Sequence, residues 1–204
     1  VHDCSGQPLM RSEHNLDPAN SRDYSWLISP YVVEVAPGLP IISLVHNEYH
    51  AHEDPRHGGF KNCNIVDESR FLKCWWGSVN WAVSNDNGKS YVQPQSPQHV
   101  VSSIGFGYSP DNKQHYGAME PSNILFRQGY YYSLVTVQIP TEKEPYVQGK
   151  TCVMRTNNLL DPKSWKYWDG KDFLIEATDA SACTKVMNSG WSLAVTMNNY
   201  LGKY

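Results

Sequence analysis

The chain has no apolar run near the roughly 18 residues that a membrane-crossing helix requires, so nothing in it reads as a spanning segment. It also lacks any excess of positive charge. Seventeen Lys and Arg stand against 20 Asp and Glu, for a formal net charge of -3. With no basic cluster, the electrostatic footprints of nucleic-acid binding and of anionic membranes are both excluded. No C-x-x-C pair is present, which removes the usual structural zinc spacings. A Gly-rich phosphate loop, a G-x-S-x-G elbow, a Cys/His nucleophile set and Asn-x-Ser/Thr sequons are all missing. No stretch sustains a helical period. No leader is visible at Val1, as a mature, processed start would have it.

What the chain does have is 13 Tyr, 7 Trp, 14 Gly and 13 Pro. That mixture predicts short strands with turn punctuation. Its 204 residues suffice for one core, or for part of a larger one. There are five cysteines. Spacing does not fix their pairing, but Cys63 with Cys74 and Cys152 with Cys183 are the preferred pairs, and Cys4 is left over. Two disulfides imply a secreted or periplasmic protein.

A weak repeat organises the chain. Tyr31-Val32-Val33-Glu34-Val35 leads through Pro37-Gly38 into Ile41-Ile42-Ser43-Leu44-Val45. The plan recurs at Ser122-Asn123-Ile124-Leu125-Phe126, turn Gln128-Gly129, then Tyr130-Tyr131-Tyr132-Ser133-Leu134-Val135. It begins again at Ser192-Leu193-Ala194-Val195-Thr196, turn Asn198-Asn199, then Tyr200 to Tyr204. A third strand follows each full hairpin, at 78–84 and 151–156, and a short fourth is expected at 86–91 and 161–165. A hairpin plus two further antiparallel strands is the plan of a β-propeller blade, and a two-sheet sandwich is the rival. The expectation is an all-β, single propeller domain over 1–204. Its blades would take about 27–95 and 116–185, with a third starting at 191–204. Two and a half blades would leave open strand edges, so a further chain or segment is expected to close the ring.

The densest chemistry is His46-Asn47-Glu48-Tyr49-His50-Ala51-His52, directly after the apolar run 40–45. If that strand continues, alternation puts His46, Glu48, His50 and His52 on one face. Burying them unpaired would cost several kcal/mol. Three readings follow: a solvated strand end, an acid/base site, or a divalent metal (Zn, Mn, Fe or Ni) on His46, His50 and His52. His2, His14, His57, His99 and His115 carry no pattern and read as structural or solvated. Arg155 reads as a surface or inter-blade contact.

Two segments carry a resemblance. Ser84-Asn85-Asp86-Asn87-Gly88-Lys89-Ser90-Tyr91 resembles the Asp box of sialidase-type propellers, which implies a structural Asp86. The run Gly117-Ala118-Met119-Glu120-Pro121-Ser122-Asn123-Ile124 to Tyr132 resembles five-bladed propeller glycoside hydrolases of the arabinanase and β-xylosidase group. Together with Asn-Glu-Tyr-His and Asp-Pro-x-Ser-Trp it looks like secreted bacterial proteins of that kind. The resemblance implies that Glu120 is the general acid. Glu48 would be its base or tuning partner, across a channel mouth where Glu48, His50, His52 and Glu120 converge. Tyr49, Tyr116 and Trp191 are then the candidates for sugar stacking. Three functions remain open: a glycoside hydrolase, a carbohydrate-binding or structural propeller without catalysis, and a metal-dependent enzyme on the histidine face.

Overall fold

The structure, a computed structural model, describes residues 6–33, 40–51, 62–65, 73–140, 149–188, 193–196 and 198. It is all-β. Eleven strands form one open mixed sheet, and the described helical pieces are three-residue 3-10 turns. In chain order the strands are β1 (Tyr24–Val32), β2 (Ile41–His50), β3 (Trp75–Ser84), β4 (Val100–Ser102), β5 (His115–Met119) and β6 (Leu125–Arg127). They continue with β7 (Tyr130–Gln138), β8 (Lys150–Thr156), β9 (Lys166–Trp168), β10 (Phe173–Glu176) and β11 (Met187–Asn188).

Two antiparallel meanders make up most of the sheet. In the first, β2 lies between β1 and β3, and the β2–β3 register runs unbroken from Ile41↔Ser84 to His50↔Trp75. Flanked on both sides, β2 is buried from Ile42 through His50, whereas the outer β1 alternates toward solvent. In the second, β7, β8, β9 and β10 follow one another, with β6 on the far side of β7. The meanders join where β5 pairs in parallel with β3, through Trp75↔His115, Trp76↔Tyr116 and Gly77↔Gly117. The other side of β5 pairs with the end of β7. Ile42, Leu44, Val79, Val135, Met154, Trp165 and Tyr167 form the centre of the core.

Both expected fourth strands are displaced. At 86–90 the chain turns: Asp86 accepts from the Ser84 hydroxyl at 2.7 Å and from Ser90 N at 2.9 Å. Hydrogen bonds from Ser90 and Ser84 hold the Asp86 carboxyl well below the usual carboxylate range. Tyr91 then turns inward against Val45 and Ala82. The strand beside β3 is instead β4, and only an isolated bridge, Val83↔Val92, marks the expected place. At 162–164 the chain forms a 3-10 turn, because Asp161 caps Lys163 N and Pro162 pre-sets the first position. The strand follows as β9. Of the third hairpin, residues 193–196 form no strand, and Val195 is held by two 2.8 Å hydrogen bonds to the Asn123 side chain. The rest of that hairpin, apart from Asn198, lies outside the described residues, as does Cys4.

Cys63–Cys74 and Cys152–Cys183 are disulfides. The second closes a sequence separation of 31 residues between β8 and the turn before β11. Mass spectrometry without reductant should show both bridges, and Cys152→Ser should cost about 2–4 kcal/mol in denaturant unfolding. Free thiols at all four positions would refute both.

Candidate functional site

Strand β2 runs straight through to His50, so alternation places His46, Glu48 and His50 on one face. The Glu48 carboxylate is the hub. His50 Nε2 lies 2.7 Å from Oε2, and His46 Nε2 and His115 Nε2 lie 3.3 and 3.4 Å from Oε1. Of these, His46 Nε2 and His115 Nε2 make ion-pair contacts without hydrogen-bond geometry. Glu120 enters from the other meander, immediately after β5. Its Oε1 is 3.3 Å from His46 Nδ1, so one imidazole stands between the two carboxylates. The carboxylate oxygens are therefore at most about 9 Å apart, under the roughly 9.5 Å upper limit for the paired carboxylates of glycosidases.

Electrostatics divides the roles. Burial alone would lower the His46 imidazole, but the Glu120 and Glu48 carboxylates outweigh it and hold the value up at about 9. His46 is thus an imidazolium at neutral pH. Burial likewise opposes ionisation of Glu48, yet its contacts with His46 and His50 reverse the effect and hold it well below the usual carboxylate range. His115 goes the other way: burial pushes it down to about 4 despite the pull of Glu48, so it is neutral. Asp23, just before β1, is raised by burial, although His50 N donates to its Oδ2 at 3.1 Å.

Aromatic rings wall the cluster. The His50 imidazole lies between Trp75 (centroids 4.1 Å, 16°) and Tyr24 (4.6 Å, 27°). Trp75 also meets His115 edge-on at 4.8 Å. Trp26 leans on His46 at 5.5 Å and remains 42% exposed. Glu120 adopts a left-handed φ of 50° at the break between β5 and β6, a conformation non-glycine residues hold only under constraint. Its side chain is 26% exposed against 11% for Glu48, so Glu120 is the carboxylate that reaches solvent.

Several expected site residues are placed elsewhere. Tyr49 and Tyr116 are buried on the opposite face, where Tyr49 meets Tyr108 at 5.0 Å, so neither offers a ring to a substrate. Trp191 and His52 lie outside the described residues. Among the described residues no group of three or more His, Cys, Asp or Glu side chains is placed to hold a metal ion. Of the donors expected to do so, His46 and His50 turn their Nε2 atoms onto Glu48, and His46 turns its Nδ1 onto Glu120.

The sequence reading missed His115, Tyr24, Trp26 and Trp75. The alternation Tyr24-Ser25-Trp26 was the available signal for two of them, since they pair across from Glu48 and His46. Comparisons with protein families, with curated proteins and with solved structures return no match.

Proposed function

We propose that this is a secreted carbohydrate-active protein, a glycoside hydrolase on a propeller-type scaffold. Its working carboxylate is Glu120. One observation carries the reading: Glu120, at a left-handed break, touches one nitrogen of a buried imidazolium whose other nitrogen faces Glu48, beside the exposed Trp26. An exposed indole next to a carboxylate suits a sugar ring, whose C–H face stacks while its oxygens meet the acid. The two disulfides support an oxidising compartment. Two meanders with recurring strand order support the propeller.

In this reading Glu120 relays a proton from the His46 imidazolium to the glycosidic oxygen as the C–O bond breaks; water adds to the anomeric carbon, and the proton it releases returns to His46. Glu48, held strongly ionised, is too weak a base to activate water well, and it serves as the counter-charge that keeps His46 protonated. That same weakness favours one second reading, glycan recognition without turnover.

Aryl glycosides and a glycan panel separate the two. Hydrolysis that falls at least about 100-fold in Glu120→Gln, with folding intact, is the expected result. Glycan binding that depends on Trp26, with no hydrolysis of any substrate, would select the second reading. Binding and hydrolysis both absent across the panel would end the carbohydrate assignment.

A further inference from the structure

Asparagine followed by glycine occurs once in the 204 residues, at Asn87-Gly88. The pair is chemically self-reactive. The main-chain nitrogen after an asparagine can attack the side-chain amide carbon, and glycine, with no β-carbon, hinders that approach least. The fold has its own use for the pair. Asn87 and Gly88 both hold a left-handed φ, 62° and 82°, as in a type I′ turn, where these residue types are preferred. Asn87 is exposed at this turn, and its side chain has no hydrogen-bond partner among the described residues. The electrophile is therefore open to solvent.

The nucleophile is engaged. Gly88 N donates to the Ser84 hydroxyl oxygen at 2.8 Å. Ser84 ends β3 and is 1% exposed. Its own hydroxyl hydrogen goes to Asp86 Oδ1 at 2.7 Å, which leaves the oxygen lone pairs for Gly88 N. Asp86 is fixed in turn by Ser90 N at 2.9 Å and by the Ser90 hydroxyl at 2.6 Å. The Gly88 proton is thus held against a buried oxygen while the Asn87 amide stands in water.

We propose that Asn87 is a self-modification site and that the Ser84 hydroxyl is the catch that keeps it shut. When the catch opens, Gly88 N gives its proton to solvent hydroxide and attacks Asn87 Cγ. The Cγ–Nδ2 bond breaks, and the nitrogen leaves as ammonia with a proton from water. Water then opens the resulting succinimide at either carbonyl, leaving Asp or isoAsp at position 87. The net change is amide plus water to acid plus ammonia. IsoAsp also adds a main-chain carbon between Ser84 and Tyr91, the ring that this turn delivers against Val45 and Ala82.

Peptide mapping follows the mass gain at Asn87 in the full chain and in the free peptide spanning residues 84–91, at one mildly alkaline pH. The wild-type chain should react at least about 10-fold more slowly than the peptide, the factor that one hydrogen bond supplies. Ser84→Ala should bring the chain to within about 3-fold of the peptide. Circular dichroism checks that the variant is folded. Hydrogen exchange of the Gly88 amide in the unaltered chain should be slowed by a similar factor, about 10-fold, because the same opening exposes it. That measurement decides alone where Ser84→Ala does not fold. The proposal is overturned by a wild-type chain that deamidates as fast as the peptide, by a Gly88 amide that exchanges as in the peptide, or by a folded Ser84→Ala that stays at the wild-type rate.

Discussion

Glu48→Gln should lower the unfolding free energy by about 3–5 kcal/mol, the scale for removing one partner of a buried ion pair. The variant keeps the volume but leaves the buried His46 with Glu120 alone, while His50 and His115 lose their shared carboxylate. The pH profile should change as well. His46 titrates at about 9 in the fold against an ordinary 6.5. Its contribution is complete below pH 6.5 and is lost as pH rises toward 9, about 3 kcal/mol at most. His115 is shifted the opposite way, to about 4. As pH falls from 6.5 toward 4, the unfolded chain takes up a proton that the folded chain refuses, and stability drops. Glu48, held below its unfolded value, adds stability that is complete above that value and is lost progressively as pH falls from it through the folded value. The cluster is therefore most stabilising near pH 6.5, and Glu48→Gln should flatten the alkaline limb. Denaturant unfolding at pH 6.5 and pH 9 tests this. A variant with wild-type stability at both would remove Glu48 from its place as the hub.

Gly117→Ala should be equally severe, about 4 kcal/mol or more, from overpacking combined with backbone strain. A β-carbon at Gly117 would stand 2.1 Å from Gly77 O and 2.5 Å from Gly77 N. Both are main-chain atoms, so no side chain can move aside. The φ of +136° adds strain for any L side chain. Relief requires separating β3 from β5, which is where the meanders join and where His115 and Glu120 are delivered to Glu48. Gly129→Ala is the control. Its φ of +81° is also left-handed, but nothing lies within 4 Å of the added carbon, so the cost should be only about 1–2 kcal/mol. Thermal melts of the two variants decide the matter, and equal losses would show that strain alone, without the contact, sets the cost.

Much of this architecture is local and therefore legible. Strand alternation places His46, Glu48 and His50 together because it depends on one strand alone. The Cys63–Cys74 pair spans a short insertion, and the Tyr- and Trp-rich hairpins announce an all-β chain. What is not legible depends on pairing between distant segments. His115 reaches Glu48 through a three-residue parallel contact between β5 and β3, which no periodicity reports. Tyr24 and Trp26 join the site through the register of β1 on β2. Turn chemistry also competes with strand propensity. Asp86-Asn87-Gly88 and Asp161-Pro162 bend the chain where a fourth strand was expected, and the pairing strand arrives later. The stacking residues were misplaced because Tyr49 and Tyr116 are one position away from Glu48 and His115, and one position reverses the face.

The break between β5 and β6 carries Glu120 but contributes little to the β-ladder. Residues 120–124 are fastened by their own side chains and by Ser29. Ser122 Oγ takes Leu134 N at 2.9 Å, Ser133 Oγ donates to Ser122 O at 3.1 Å, and Ser29 Oγ takes Ile124 N at 2.8 Å. Chemistry and scaffold are thus uncoupled along the chain. The serines act as clasps for a replaceable cassette, and Asn123 adds a clasp to Val195 through its two hydrogen bonds. Libraries that randomise position 120 while keeping Ser29, Ser122, Asn123 and Ser133 would explore new reactivities on the same clasps. The same economy would let lineages diverge in chemistry without refounding the fold.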